Sequence, residues 1–144
     1  MSNIQWQTRL ITWQSKELSL LSPKPIAWRT IHVARSGWRN KKYKCDFWFP
    51  ILGNHPHAKI GTEQGDLEYV DYLFSIEDTP EFIEAFNVMR ESPYVCLVCF
   101  CDDYELCHRR VLVEWLCVRF PDDFKKYDNF SIILPQNYIK RGQL

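Results

Sequence analysis

No excess of either charge marks this chain: 18 Lys and Arg stand against 18 Asp and Glu in 144 residues. That balance excludes a global field drawing the protein to nucleic acid or to an anionic membrane, so any anion binding has to be local. No apolar run is long enough to cross a bilayer and no leader-like segment precedes the central region, so no membrane partner and a cytoplasmic location are expected. Internal repeats, low-complexity tracts and long charge runs are missing too, which leaves one domain over residues 1–144 as the simplest organisation. What is present is core material. The chain is 46% hydrophobic and carries six Trp, seven Tyr and nine Phe, enough to bury a core without covalent staples. Its six cysteines are at positions 45, 96, 99, 101, 107 and 117. Cys96, Cys99 and Cys101 fall on one expected strand, where backbone geometry disfavours pairing them, and reduced thiols in a reducing compartment follow.

The pattern along the chain alternates strands with helices. Residues 4–13 alternate as a strand does, and Ile26 to Val33 has β-branched and aromatic content, with Pro25 at its entry. Arg35, Ser36 and Gly37 end that strand. Cys45 to Ile51 reads as a short strand cut off by Pro50 and Gly53. Residues 61–66 (GTEQGD) read as a loop, and Leu67 to Phe74 as a short helix. A better-signalled helix spans residues 80–91: Thr79 is a good N-cap, Pro80 suits the first helical position, and Glu81 complements the positive end of the dipole. Phe82, Ile83, Phe86 and Met89 recur at its helical spacing. Tyr94 to Phe100 is almost wholly apolar, as a strand buried on both faces must be. Cys107 to Phe120 is expected as a helix with Val111, Leu112, Trp115 and Val118 inward, stopped by Pro121. Asn129 to Leu134 would supply a last strand. Helices between strands imply crossovers, so the fold class is α/β with a mostly parallel sheet.

The stretch with the most chemistry is Tyr94 to Leu116, where the apolar strand meets an acidic turn and then a helix opening Cys107-His108-Arg109-Arg110. Ligands of open α/β sheets bind beyond the carboxyl ends of strands, against the amides of the following helix. Neighbouring helical residues diverge by about 100°, so one arginine faces the crevice, and Arg109 is the choice. The alternative is that both arginines pair with Asp102, Asp103 or Glu105 and only tie the turn together. A cysteine at a helix start beside cations is prepared as a nucleophile, and His108 is placed to serve as its base. The plainer reading leaves Cys107 a small buried residue and His108 a packing residue. Cys96-x-x-Cys99 with Cys101, Cys107 and His108 offers zinc-type ligands. Residues 96 and 99 project to opposite faces of a regular strand, however, so neither a metal nor another cofactor is expected. A second cluster, Arg35, Trp38, Arg39, Lys41, Lys42, Tyr43 and Lys44, interleaves cations with aromatics, as base stacking and phosphate binding require, with His55 and His57 nearby in sequence. As a plain solvated loop, the same residues would only cover the core.

Cys99 followed by Cys107-His108-Arg109, at the end of an apolar strand and opening a helix, resembles the signature of the domain of unknown function 488 family. Pro50-Ile51-Leu52-Gly53 is similar to that family's Pro-x-Leu-Gly turn, and Arg35 to the arginine that follows one of its strands. The resemblance covers about residues 26–134. It implies a single small Rossmann-like three-layer α/β domain and no particular reaction. Cys101 stands where the family usually has glutamate, and Val33 where it has a strand aspartate.

Together these features lead to a small cytosolic enzyme that binds a nucleotide-like or nucleic-acid anion at the Cys-His-Arg junction. Cys107 and His108 would be catalytic, and Arg109, Arg35, Cys99, Asp102, Asp103 and Trp38 would line the ligand site. The competing class is a non-catalytic anion-binding or protein-interaction module with an aromatic partner surface, of the kind an accessory protein of a virus or mobile element would present.

Overall fold

The computed structural model describes residues 7–14, 28–34, 45–99 and 106–126 of the chain. Five strands, β1 (Thr8–Gln14), β2 (Trp28–His32), β3 (Phe47–Trp48), β4 (Tyr94–Cys99) and β5 (Phe124–Lys126), form one sheet in the order β3-β2-β4-β1-β5. Every pairing is parallel: Ile11 stands opposite Cys96, Thr30 also opposite Cys96, Ile31 opposite Phe47, and Thr8 opposite Phe124. Among the described residues, three helices, α1 (Glu63–Ile76), α2 (Pro80–Arg90) and α3 (His108–Arg119), join this sheet in an α/β domain. The connections from β3 to β4 and from β4 to β5 advance in the same direction across the sheet. Right-handed crossovers therefore put α1, α2 and α3 on one face.

The side chains of the helical layer meet there. Trp115 of α3 presents edges to Phe74 of α1 and Phe82 of α2, with ring centroids 5.6 and 5.8 Å apart. Phe86, Phe120 and Phe124 extend the same aromatic cluster. Beneath it Leu10, Ile31, Val33, Val95, Leu97 and Cys99 form the sheet side of the core. Cys96 and Val98 alternate to the other face and are fully buried as well, which is why β4 reads as an unbroken apolar run. Truncating a core leucine such as Leu112 to alanine costs roughly 2–5 kcal/mol in sites of this kind.

Several sequence expectations are corrected. The stretch read as a loop at 61–66 opens α1: Thr62 is its N-cap and accepts the Gly65 N–H at 3.0 Å. Gly65 is there because a Cβ would lie 1.9 Å from the Lys59 carbonyl oxygen, a close approach rather than a flexible joint. β3 is reduced to two residues because Pro50 to Leu52 winds into a 3₁₀ turn. Val118 is 78% exposed and the buried stripe of α3 turns instead through Leu116; Ile83 likewise faces outward while Ala85 is buried. β5 had no sequence expectation, having one apolar residue in three. The strand expected at Asn129 to Leu134 lies outside the described residues. No helix among the described residues is long and apolar enough to cross a membrane.

Candidate functional site

The β4-to-β5 connection leaves β4 toward one edge of the sheet, whereas the connections from β1 and β2 run toward the other. β4 has both of those strands as neighbours, so its carboxyl end is a switch point, the place where such sheets open a crevice. Cys99 ends β4, and Cys107 is the N-cap of α3, with extended backbone at φ −106° and ψ 141°. The Cys107 thiol makes no capping bond to the helix. It turns to its two successors instead.

Arg109 donates its Nε–H to Cys107 Sγ over 3.2 Å, and His108 Nδ1 lies 3.8 Å from the same sulfur. His108 Nε2 is 2.8 Å from the Val33 carbonyl oxygen just past β2. A carbonyl only accepts, so Nε2 carries the proton and Nδ1 is the nitrogen turned to sulfur. Cys99 Sγ joins this pair: one donor atom from each of Cys99, Cys107 and His108 lies within 4.8 Å of the others, and all three residues are buried. Arg109 is only 2% exposed and is the bulkiest fully buried side chain described. A buried guanidinium favours the anionic form of a thiol set against it, and the Cys107 sulfur is so placed.

Two further residues frame the site without any signal in the sequence. Tyr69 of α1 packs its ring edge-on to His108, with centroids 5.5 Å apart, and donates its hydroxyl to the Leu52 carbonyl. Burial, aided by Tyr72, Cys107 and Cys99, pushes the Tyr69 hydroxyl well above its ordinary range, so it stays a donor. The Pro-Ile-Leu-Gly turn is thus tied to the site. The Pro50, Ile51 and Leu52 carbonyls meet His55 Nε2 at 2.7 Å, the Tyr72 hydroxyl at 2.7 Å, and the Tyr69 hydroxyl, respectively. His32 at the end of β2 is the second. Burial first, then Arg109 and His108, lower its pKa to about 4, so at neutral pH it adds no charge beside Arg109.

Of the residues singled out from sequence, Cys99, Cys107, His108 and Arg109 come together. Arg110 diverges as expected and bonds Asp66 of α1 at 2.7 Å. Arg35, Trp38, Asp102 and Asp103 lie outside the described residues, as do Cys101, Glu105 and the rest of the basic aromatic loop except its neighbour Cys45. His55 and His57 are described; His55 is engaged by the 3₁₀ turn and by the Tyr72 ring. The five described cysteines are thiols rather than half-cystines. The aromatic surface narrows: Trp48 and Phe74 are the aromatic members of the large exposed hydrophobic set among the described residues.

Neither the curated proteins nor the solved structures include a significant match to the chain. The family model of the domain of unknown function DUF488 matches residues 34–116, which run from the end of β2 through the Cys-His-Arg junction into α3 and make up more than half of the sequence, and the chain belongs to that family.

Proposed function

We propose that the chain is a small enzyme that binds an anionic, nucleotide-like or nucleic-acid substrate at the carboxyl end of β4, with the Cys107 thiolate as its reactive group. One observation carries this reading: Cys107 Sγ receives the Arg109 Nε–H at 3.2 Å and has His108 Nδ1 at 3.8 Å. A cation that stabilises the thiolate and an imidazole that can take or return its proton are the two aids a nucleophilic cysteine needs. His108 is the proton carrier, held in one tautomer by Val33 and in one orientation by Tyr69. The Arg109 guanidinium brings a full positive charge to this junction, and the N-terminal amides of α3 add their partial positive charge, so an oxyanion is the natural guest. Asp102, Asp103, Arg35 and Trp38 follow directly in sequence from the ends of these same strands and complete the proposed ligand site, the last two with the stacking and charge that a nucleotide calls for.

The test is a thermal-shift panel of nucleotides, sugar phosphates and short oligonucleotides on the full chain, repeated with Arg109→Met, Cys107→Ser and His108→Ala. The reading expects a stabilising compound whose effect is lost in Arg109→Met, and whose turnover is lost in Cys107→Ser while its binding persists. Undiminished function in both Cys107→Ser and His108→Ala would instead assign a non-catalytic anion-binding or protein-interaction module.

A further inference from the structure

Beyond that reading, which concerns Cys107 as a nucleophile, we infer that Cys99, Cys107 and His108 form a three-donor site for a zinc-class divalent ion. Two thiolates and one imidazole nitrogen are the donor set that zinc takes from proteins, and three protein donors are the number it takes when it keeps a fourth position for water or substrate. A tetrahedral ion with bonds of about 2.0–2.3 Å sets its donors roughly 3.5–3.8 Å apart. His108 Nδ1 and Cys107 Sγ already stand at 3.8 Å, and the whole triad lies within 4.8 Å. The closing movement is about an ångström of side-chain rotation.

Two independent features point the same way. The first is His108 Nε2 on the Val33 carbonyl at 2.8 Å. A ligating histidine characteristically gives its other N–H to a carbonyl or carboxylate, which fixes the tautomer and aims the remaining nitrogen at the ion. The second is the Arg109 Nε–H on Cys107 Sγ at 3.2 Å, a second-shell donor suited to a metal-bound thiolate. The opposite projection of Cys96 and Cys99 along β4 leaves this triad intact: Cys96 faces away, and the sulfur that joins Cys107 comes from Cys99, on the face of the helices. Binding releases the proton of the Cys99 thiol and engages the Cys107 sulfur on which nucleophilic chemistry depends. The metal-loaded and nucleophilic states of Cys107 therefore exclude each other, and zinc acts as a switch on the proposed enzyme.

The experiment uses the full chain, stripped with chelator and titrated with Co²⁺ as a spectroscopic substitute and with Zn²⁺. The site predicts about one equivalent of tightly held metal, sulfur-to-cobalt charge-transfer absorption, and tetrahedral ligand-field bands, all displaced by Zn²⁺. Cys99→Ser loses them, and the reactivity of Cys107 is measured separately on the metal-stripped wild-type chain, so failure of the metal site and failure of the nucleophile are read independently. In case Cys99→Ser does not fold, the wild-type chain gives a second readout: Zn²⁺ protects Cys99 and Cys107 from alkylation and leaves Cys45 and Cys117 unprotected, as mapped by mass spectrometry. Cobalt spectra unchanged in folded Cys99→Ser, or binding without protection of Cys99 and Cys107, would overturn the assignment.

Discussion

Replacing Arg109 by methionine keeps most of the buried volume and removes the guanidinium from Cys107. The bond at issue spans 3.2 Å between a fully charged donor and sulfur, away from solvent. Hydrogen bonds to charged groups contribute about 1.5–3 kcal/mol, and each pH unit of proton affinity corresponds to about 1.4 kcal/mol. Loss of the cation disfavours the thiolate, so the pH at which Cys107 ionises should move up by about one to two units. Thiolate ultraviolet absorbance reports this without requiring a reagent to enter a buried site. Each pH titration is taken as a difference against the same background carrying Cys107→Ser, and near-ultraviolet circular dichroism checks folding. A midpoint that moves by less than about 0.3 units in a folded variant would refute the claim that Arg109 sustains the thiolate.

Other perturbations test the frame around the site. Gly65→Ala should lower stability by roughly 1–3 kcal/mol in urea unfolding, because the added methyl meets the Lys59 backbone at 1.9 Å rather than a yielding side chain; a gain of the size that helix propensity alone supplies would contradict this. Thr79→Ala removes the oxygen that accepts the Phe82 N–H at 3.2 Å and should cost about 0.5–2 kcal/mol by the same measurement, with Thr79→Ser restoring most of it. The Arg119 guanidinium grips Glu77 through bonds of 2.8 and 3.0 Å and holds its carboxyl below the ordinary value of 4.5. A carboxyl lowered in the folded state contributes stability above its unfolded value and loses it as pH falls through the folded one. Glu77→Gln should accordingly flatten the stability profile below about pH 4.5, and an unchanged acid limb would exclude the pair as a contributor.

The parts of the fold that were legible in the sequence are those where one physical cause dominates. β4 announces itself because both faces are buried, and α2 because Thr79, Pro80 and Glu81 are all start signals. α1 was shortened because Gly61 and Gly65 read as loop residues. Gly61 does adopt a positive φ of 101°, but Gly65 is selected by the Lys59 backbone, a tertiary contact without a local signature. β5 escaped for the converse reason: three residues at a sheet edge with only Phe124 inward carry no period to detect. Within the site, Cys107, His108 and Arg109 were findable because they are contiguous, and the divergence of Arg109 from Arg110 followed from helical geometry, though not which of the two turns inward. His32, Tyr69 and the Val33 carbonyl were not, since an ordinary strand histidine, a helix tyrosine and a backbone oxygen become partners only through the order of the strands. The Cys99 pairing shows the limit most clearly. Spacing directed attention to Cys96-x-x-Cys99, whereas the sheet turns Cys99 alone toward the start of α3.

The central claim is that Cys107 is activated by its neighbours, and its relative reactivity tests it most directly. Metal-free native chain is exposed to a small electrophile at neutral pH, and modification at Cys45, Cys96, Cys99, Cys107 and Cys117 is followed by mass spectrometry. Cys45 and Cys117 are partly exposed, whereas Cys96, Cys99 and Cys107 are buried. Activation predicts that Cys107 reacts before the exposed pair, and that Arg109→Met abolishes its lead. A reaction order that follows exposure, with Cys45 and Cys117 first and Cys107 protected together with Cys96, would contradict the account.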